Sequence, residues 1–191
     1  MRRWLDILLG RTRPARPKRE HLFAMATAYV TLDTKLGYRP GERAGIVFRP
    51  VTSSYFQEFE RELQGILALT HQEMGTQPEF REDTYGFRWV VLHDEDFEDL
   101  VATIHQVSQI LADHGFGEQA LAAVFRFDSP QGRPVYWIYQ YKRGAFSPFA
   151  PAGRGQERDN ATELRLRAVM EHELPIEADL GRWYALWGIP L

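Results

Sequence analysis

Apolar residues recur at helical spacing in two long segments of the chain. In residues 55–70 they return every three or four positions, and in residues 94–114 they form a continuous stripe. Such spacing places the apolar side chains on one face of an α-helix, which then needs a partner surface. The sequence therefore predicts two long amphipathic helices, of which the second ends at Gly115.

Other segments carry the β-branched and aromatic residues that are typical of strands. The strands predicted on this basis cover residues 29–32, 44–48, 85–92, 122–127 and 135–141. Residues 128–132 have turn chemistry, with aspartate, serine, proline and glycine, so the last two strands are expected to form an antiparallel hairpin. Residues 146–156 are rich in proline and glycine and are predicted as a loop.

Two shorter helices complete the predicted elements. Residues 20–28 fit one of them, and the other begins near Asn160, where Glu163 matches a capping box, and ends before Pro175. Strands in antiparallel groups flanked by helices, without strict alternation, are typical of an α+β fold. We therefore predict a single two-layer α+β domain over residues 20–191, with a largely antiparallel sheet packed by amphipathic helices and an aromatic C-terminal segment at residues 182–191.

The composition narrows the class of protein. The 191-residue chain is 44% hydrophobic and 26% charged, which are ordinary values for a globular domain. It has no cysteine, which excludes disulfides, thiolate metal sites and a cysteine nucleophile. No stretch approaches the roughly 20 apolar residues of a membrane span. We therefore expect a cytoplasmic protein, or one that is peripheral on the inner face of the cytoplasmic membrane.

The charge of the chain is divided unevenly. Residues 1–19 carry seven basic residues and one acid, a net +6, whereas residues 20–191 carry 16 basic and 25 acidic residues, a net −9. The first ten residues also place apolar side chains on one stripe of a short helix, so residues 1–19 are predicted to form a basic amphipathic arm. The arm residues that are candidates for contact with a membrane or a partner are Arg2, Arg3, Trp4, Leu5, Leu8, Arg11 and Arg13.

Two interpretations of this arm stay open. An interfacial helix buries its apolar face at the headgroup boundary, and each basic residue near an anionic surface contributes about 1 kcal/mol. A helix of nine or ten residues would make this contact weak and reversible. In the other interpretation, Trp4, Leu5 and Leu8 pack on the protein's own core while the arginines are solvated.

The motifs of the chain assemble no catalytic constellation. Residues 115–120 match the letters of a dinucleotide fingerprint, but a helix precedes them and a strand follows, the reverse of what that site requires. His172 and Glu173 begin like a zinc-protease helix, yet Ile176 stands where the second histidine should be. The acidic residues 94–99 lie at a helix start, where carboxylates complement the helix dipole. We expect no catalytic, metal or cofactor site, and hence no enzyme.

One segment is unusual, because residues 136–151 interleave aromatic side chains with basic ones. Exposed rings among basic residues are typical of RNA-binding surfaces, but the net charge of −9 on residues 20–191 opposes phosphate binding. Packing inside the fold and a contact surface for a protein or peptide are both open, and an RNA-binding module is the least favoured interpretation. The candidate contact residues are Tyr139, Tyr141, Lys142, Arg143, Gly144, Phe146 and Phe149.

Several segments in their order along the chain resemble the PspA-associated protein PspAB family of bacteria and archaea. The resemblance covers nearly the whole chain, with little from residues 52–83. Its segments are residues 4–11, 115–117, 139–151, 158–164, 174–180 and 182–188. The most specific parts are the block from Tyr139 to Pro151, with its Tyr-Lys-Arg-Gly sequence, and the segment from Arg158 to Asn160.

The resemblance implies an accessory role. The family is named for association with phage-shock protein A, a peripheral protein that protects stressed cytoplasmic membranes, and it has no catalytic motif to transfer to residues of this chain. It implies a non-catalytic cytoplasmic protein with a protein partner of PspA type and a weak contact with anionic membranes. A chaperone-like, peptide-binding domain is the alternative at the level of the fold.

Overall fold

This computed structural model describes residues 20–153 and 155–191. This part of the chain contains four α-helices and a six-stranded sheet. The strands are β1 (Arg39–Phe48), β2 (Gln77–Glu82), β3 (Arg88–His93), β4 (Ala120–Asp128), β5 (Pro134–Gln140) and β6 (Ala145–Phe149). The helices are α1 (Met25–Leu36), α2 (Ser54–Met74), α3 (Phe97–Asp113) and α4 (Asn160–Met170). These elements confirm the α+β class. The predicted arm of residues 1–19 lies outside the described residues.

The strands follow the order β2-β3-β1-β4-β5-β6, and every neighbouring pair is antiparallel. Strands β4 and β5 form the predicted antiparallel hairpin, which confirms that prediction. The outer edge of β6 is covered, because the Phe146 N–H donates to the Pro175 carbonyl at 2.8 Å and the Glu177 N–H donates to the Phe146 carbonyl at 2.9 Å. At the other edge, β2 carries Pro78 and charged side chains, which disfavour pairing with another strand.

Alternation along the strands gives the sheet two apolar faces. One face, with residues such as Ile46, Phe125 and Trp137, packs against all four helices, and we call it the helix face. The opposite face includes Val91, Val124 and Ile138. It is covered by the last nine residues of the chain, 183–191, which we call the tail. We call this second side the tail face.

Residues 29–32 are helical, so the strand predicted there is wrong. They belong to α1, which buries Met25, Ala28 and Leu32 at helical spacing on one side. Gly37 ends this helix at φ 70°, and its N–H donates to the carbonyls of the last turn. Burial of one helical face outweighs the β-propensity of the branched and aromatic residues in this segment.

Two edge strands differ from the sequence prediction because both contain proline. Residues 77–82, where the sequence predicts no element, form β2, and residues 146–149, predicted as loop, belong to β6. Proline is tolerated on an edge strand because the missing N–H is not needed by a second neighbour. Pro78 and Pro148 lie in these two outermost strands of the sheet.

The long helix α3 begins as its acidic first turn predicts. Asp96 is the N-cap, and its carboxylate accepts the Glu98 N–H at 2.8 Å. Burial, followed by the neighbouring carboxylates, raises the pKa of Asp99. The acidic cluster therefore serves to start the helix. Among the described residues, no helix has both the length and the apolar character needed to cross a membrane.

Candidate functional site

The aromatic segment predicted as a contact surface folds into the β5–β6 hairpin. Its four rings are buried: Tyr139, Tyr141 and Phe146 are 0% exposed and Phe149 is 1% exposed. The prediction that these rings form a contact surface is wrong, because they pack inside the fold. An RNA-binding module that stacks bases on them also loses its basis, since stacking needs an exposed ring.

Strand geometry explains where these rings lie. Tyr139 and Tyr141 alternate onto the helix face with Trp137, and the Phe146 ring lies 4.7 Å from that of Tyr139. Burial raises the pKa of Tyr139 far above its ordinary value. Phe149 instead reaches the tail face, 5.0 Å from the Trp187 ring and edge-on to it. The hairpin therefore contributes aromatic side chains to both cores.

The basic members of the predicted surface lie in the turn between β5 and β6. Gly144 has φ 67°, which favours glycine, and its N–H donates to the Gln140 carbonyl at 2.8 Å. The side chain of Lys142 is exposed, and Arg143 is half-buried with Nη1 3.6 Å from Glu177 Oε2. Of the seven candidate residues, Lys142 and Arg143 are the two with charged side chains at the surface.

An apolar groove of about 810 Å³ opens on the tail face beside this turn. Its floor is the sheet from β3 to β5, including Trp89, Ala122 and Ile138, and Trp187 of the tail contributes to its wall. On the β5 side the lining includes Lys142 and Arg143. On the β3 side it includes Tyr85 and Phe87, from the turn between β2 and β3. The groove therefore joins an apolar floor to a basic end.

The tail is anchored by an ion pair between half-buried Arg158 and buried Glu163. Arg158 donates from Nε at 3.0 Å and from Nη2 at 2.8 Å to the two carboxylate oxygens of Glu163. Its Nη1 donates to the Trp183 carbonyl at 2.6 Å. Glu163 is 2% exposed and also accepts the Ala150 N–H at 2.9 Å. The bidentate geometry fixes the guanidinium, which ties α4 and Ala150, the residue directly after β6, to the tail.

This pair corrects the predicted capping box. The N-cap of α4 is Asp159, whose Oδ1 accepts the Thr162 N–H at 3.0 Å, whereas Asn160 is the first helical residue. This hydrogen bond, and a second one from the Thr162 hydroxyl at 2.7 Å, lower the pKa of Asp159. Because Asp159 already caps the helix, Glu163 is available to turn inward toward Arg158.

Further contacts guide the tail across the sheet. The Gln140 side chain donates to the Arg182 carbonyl at 3.0 Å, and Nε1 of Trp183 donates to the Glu177 carbonyl at 2.8 Å. At the end of the chain, Leu191 packs over Gly45 of β1: a Cβ atom there would lie 3.2 Å from Leu191 Cδ2. The tail therefore runs from β5 to β1 and leaves the groove at its side.

A second cleft, of about 1160 Å³, lies at the opposite end of the sheet and is polar. Its charged lining includes Asp33, Arg39, Glu42, Arg43, His93, Arg126 and Asp128. Several of these groups pair with each other, as Arg126 does with Asp128 at 3.1 Å and His93 with Glu42 at 3.3 Å. Within residues 20–153 and 155–191, no three metal-ligating side chains are grouped to hold an ion. This mixture of charge favours neither an anion nor a cation.

The sequence prediction missed the groove, although two signals pointed toward it. Residues 87–92 carry apolar side chains on both faces of their strand, so the sheet needs a cover on each side. The chain also ends in an aromatic segment with no assigned role. Together these two signals indicate that the aromatic segment packs on the sheet. They do not indicate that it leaves a groove uncovered.

Comparison with known proteins assigns the family. No curated protein and no solved structure matches this chain. The family model of PspAB, described as PspA associated protein B, matches residues 2–191, which is essentially the whole chain. The matched range includes the β5–β6 hairpin, the ion pair of Arg158 and Glu163, and the tail. The chain belongs to the PspAB family.

Proposed function

We propose that this protein is a non-catalytic accessory protein of a phage-shock-type membrane-stress response, and that it binds a protein of PspA type at the inner face of the cytoplasmic membrane. The observation that carries the proposal is the family match over residues 2–191, since the family is described by association with PspA. In this proposal the groove on the tail face is the contact surface for the partner.

The groove has the features of a protein-binding surface. Tyr85 is 74% exposed and Tyr184 is 56% exposed, and both line the groove. Aromatic and arginine side chains around an apolar centre are enriched at binding hot spots. These properties support protein binding at this face.

The chemistry of the lining supports a role without catalysis. The described lining contains one carboxylate, that of Asp83. Its oxygens accept the Tyr85 and Phe87 N–H groups at 2.9 Å each and Nε1 of Trp89 at 3.1 Å. This carboxylate therefore stabilises the turn between β2 and β3, and the described lining contains neither a second carboxylate nor a histidine to pair with it.

The test is direct binding between purified full-length protein and a purified PspA-type protein from the same cell, by titration calorimetry. We expect saturable binding with a Kd on the order of micromolar, which is typical of regulatory contacts of modest area. The charge-matched control is an unrelated coiled-coil protein. Absence of saturable heat at 100-fold higher concentration, about 100 μM, contradicts the proposal.

The arm is tested separately because it concerns the membrane. The full-length protein and a variant lacking residues 1–19 are floated with anionic vesicles at low and at high salt. We expect the full-length protein to float at low salt and to be released by high salt, since the seven basic residues act through a screened charge interaction. Equal flotation of the two proteins rejects membrane contact through the arm, whatever the result with the partner.

A further inference from the structure

We propose that the groove receives an amphipathic α-helix of about ten residues from the partner, with its apolar face on the sheet and acidic side chains against Lys142 and Arg143. This inference rests on the proposed function, because it names the chemistry of the partner segment. It is carried by three properties of the groove: the state of its backbone groups, its charge and its width.

The backbone of the floor is already paired. β1 and β4 hydrogen-bond with neighbours on both sides, β1 with β3 and β4, and β4 with β1 and β5. A segment lying on this face cannot obtain backbone hydrogen bonds from the floor, yet its own N–H and C=O groups need partners when buried. A helix satisfies these groups internally, whereas an added strand needs an open sheet edge. The opposite face of the same sheet is covered by helices.

The side chains that give the β5 end of the groove its charge, Lys142 and Arg143, are positive. Among the described residues, no salt bridge involves Lys142, whose side chain is exposed, and Arg143 makes one contact with Glu177 at 3.6 Å. The single lining carboxylate, Asp83, accepts three hydrogen bonds in the turn between β2 and β3, on the side of the groove away from Lys142. Residues 20–191 as a whole carry −9, so this basic end is a local reversal of the surface charge. An acidic segment is attracted to this basic end, whereas the net charge of residues 20–191 as a whole opposes its approach.

The width of the floor sets the length of the helix. The groove runs from β3 to β5, across three strand spacings of about 4.8 Å each, or roughly 14 Å. An α-helix rises 1.5 Å per residue, so about ten residues, close to three turns, span this distance. Apolar side chains at positions i, i+3, i+4 and i+7 of such a helix form one stripe toward the floor.

The probe is a fluorescent 14-residue peptide with leucine at those positions and glutamate at one end. Two matched peptides serve as controls. In one the glutamates are replaced by lysines, and in the other a central leucine is replaced by proline. Binding to the full-length protein is followed by fluorescence anisotropy. We expect the acidic helical peptide to bind at least fivefold more tightly than either matched peptide. Equal affinity of the glutamate and lysine peptides, equal affinity of the proline peptide, or no binding of the acidic peptide up to 1 mM overturns the inference.

Protein variants locate the binding. Lys142→Glu is expected to weaken the acidic peptide about fivefold, and Lys35→Glu, at an exposed lysine in α1, to leave its affinity unchanged. Ala122→Phe places a ring on the groove floor and is expected to weaken the peptide at least tenfold, with thermal unfolding as the check on folding. Full affinity in both Lys142→Glu and Ala122→Phe shows that the peptide binds elsewhere and overturns the inference.

The two proposals fail separately. If the PspA-type protein binds the native chain and Lys142→Glu with equal affinity, the proposed partner stands, and the groove as its contact surface and the helix in it are rejected. If the acidic peptide binds as expected but the PspA-type protein does not bind, the groove chemistry stands and the named partner is wrong. Should analytical ultracentrifugation show a dimer that excludes the peptide, the occupant is a second copy and the inference is rejected.

Discussion

The two faces of the sheet are built by the same strands but are covered in different ways. The helix face is closed by four amphipathic helices that bury residues such as Leu32, Leu63, Ile104 and Leu166. The tail face is covered by nine residues of mainly irregular backbone. A helix pairs its own backbone N–H and C=O groups, so it can be buried along a whole side. An irregular segment needs hydrogen-bond partners for these groups from other parts of the chain.

The partners of the tail are few and specific. Arg158 provides a donor for the Trp183 carbonyl, and Gln140 provides one for the carbonyl of Arg182, the residue that directly precedes the tail. A narrow segment fixed at such points cannot extend over six strands, and the uncovered part of the floor becomes the groove. The proposed binding surface therefore comes from an incomplete cover of the tail face, and we expect the helix face to contribute more to the stability of the fold.

The largest expected effect comes from one substitution made on each face. Ile46→Ala in β1 empties a site on the helix face that is 0% exposed, and Ile138→Ala in β5 truncates a side chain of the groove floor that is 2% exposed. We expect losses of about 4 kcal/mol for Ile46→Ala and about 2 kcal/mol for Ile138→Ala in the free energy of unfolding. The loss for Ile138→Ala is smaller because the space vacated by its side chain joins the open groove and leaves no closed cavity.

Urea unfolding measures both values, and each variant serves as the control for the other because residue type and strand setting are matched. Equal losses would mean that the two faces contribute alike and that the groove floor is as tightly packed as the helix face. A larger loss for Ile138→Ala would reverse the comparison between the faces.

The next effect concerns the anchor of the tail. Glu163→Gln keeps an acceptor for the Ala150 N–H but removes the charge that orients Arg158. We expect a loss of about 2 kcal/mol, below the usual 3–5 kcal/mol for a fully buried pair because the Arg158 side chain is 22% exposed. Hydrogen exchange should accelerate in residues 183–191 and stay unchanged in α3.

The control for this substitution is Glu58→Gln, at an exposed position of α2. It should change the free energy of unfolding by less than about 0.5 kcal/mol. If Glu163→Gln accelerates exchange equally in α3 and in the tail, the ion pair stabilises the whole fold and does not act as a local anchor.

A smaller effect is expected where the tail ends. Gly45→Ala brings a methyl group to 3.2 Å from both Leu191 Cδ2 and Trp89 Cε3. The side chain of Leu191 can move, so we expect a loss of about 1 kcal/mol with displacement of the last residues. The second substitution Leu191→Ala should recover most of this loss, and the double-mutant cycle measures the coupling. An additive cycle would show that the methyl group acts through Trp89 instead.

The elements that the sequence predicted well are those whose signal is local. Residues 94–114 show one apolar stripe and an acidic start, and the structure confirms helix α3 there with Asp96 as its cap. The strand predicted at residues 29–32 was wrong because a helical face buried against distant strands outweighed the local propensity. Local patterns cannot report which side of an element other parts of the chain will cover.

The site was harder to predict for the same reason. Whether Tyr139 and Phe146 are exposed depends on the core that closes over both, and this is set by residues far along the chain. Glu163 fits a capping box by spacing, yet Asp159 takes that role and Arg158 draws Glu163 inward. The sequence did single out Lys142 and Arg143, but their place beside the groove depends on how the tail crosses the sheet.

The smallest expected effect is a pH-dependent change in the free energy of unfolding, and it concerns two helices of the helix face. His114, at the end of α3, has Nδ1 2.9 Å from the Ile110 carbonyl oxygen and Nε2 3.1 Å from Glu62 Oε2 of α2. The hydrogen bond to Ile110 and then the Glu62 carboxylate raise the pKa of His114, although burial of the ring opposes them. The charged ring donates from both nitrogens and links the two helices.

Because the folded-state pKa is raised, the stability from His114 is fully present below its unfolded pKa of about 6.5 and is lost as the pH rises through the folded-state value. The difference in free energy of unfolding between the native protein and His114→Gln should therefore be larger at pH 5.5 than at pH 8.5. Urea unfolding at the two pH values measures it, with hydrogen exchange of residues 183–191 as the control. A difference that grows toward pH 8.5 would contradict the assignment, and faster exchange in the tail would show that the two faces are coupled through the sheet.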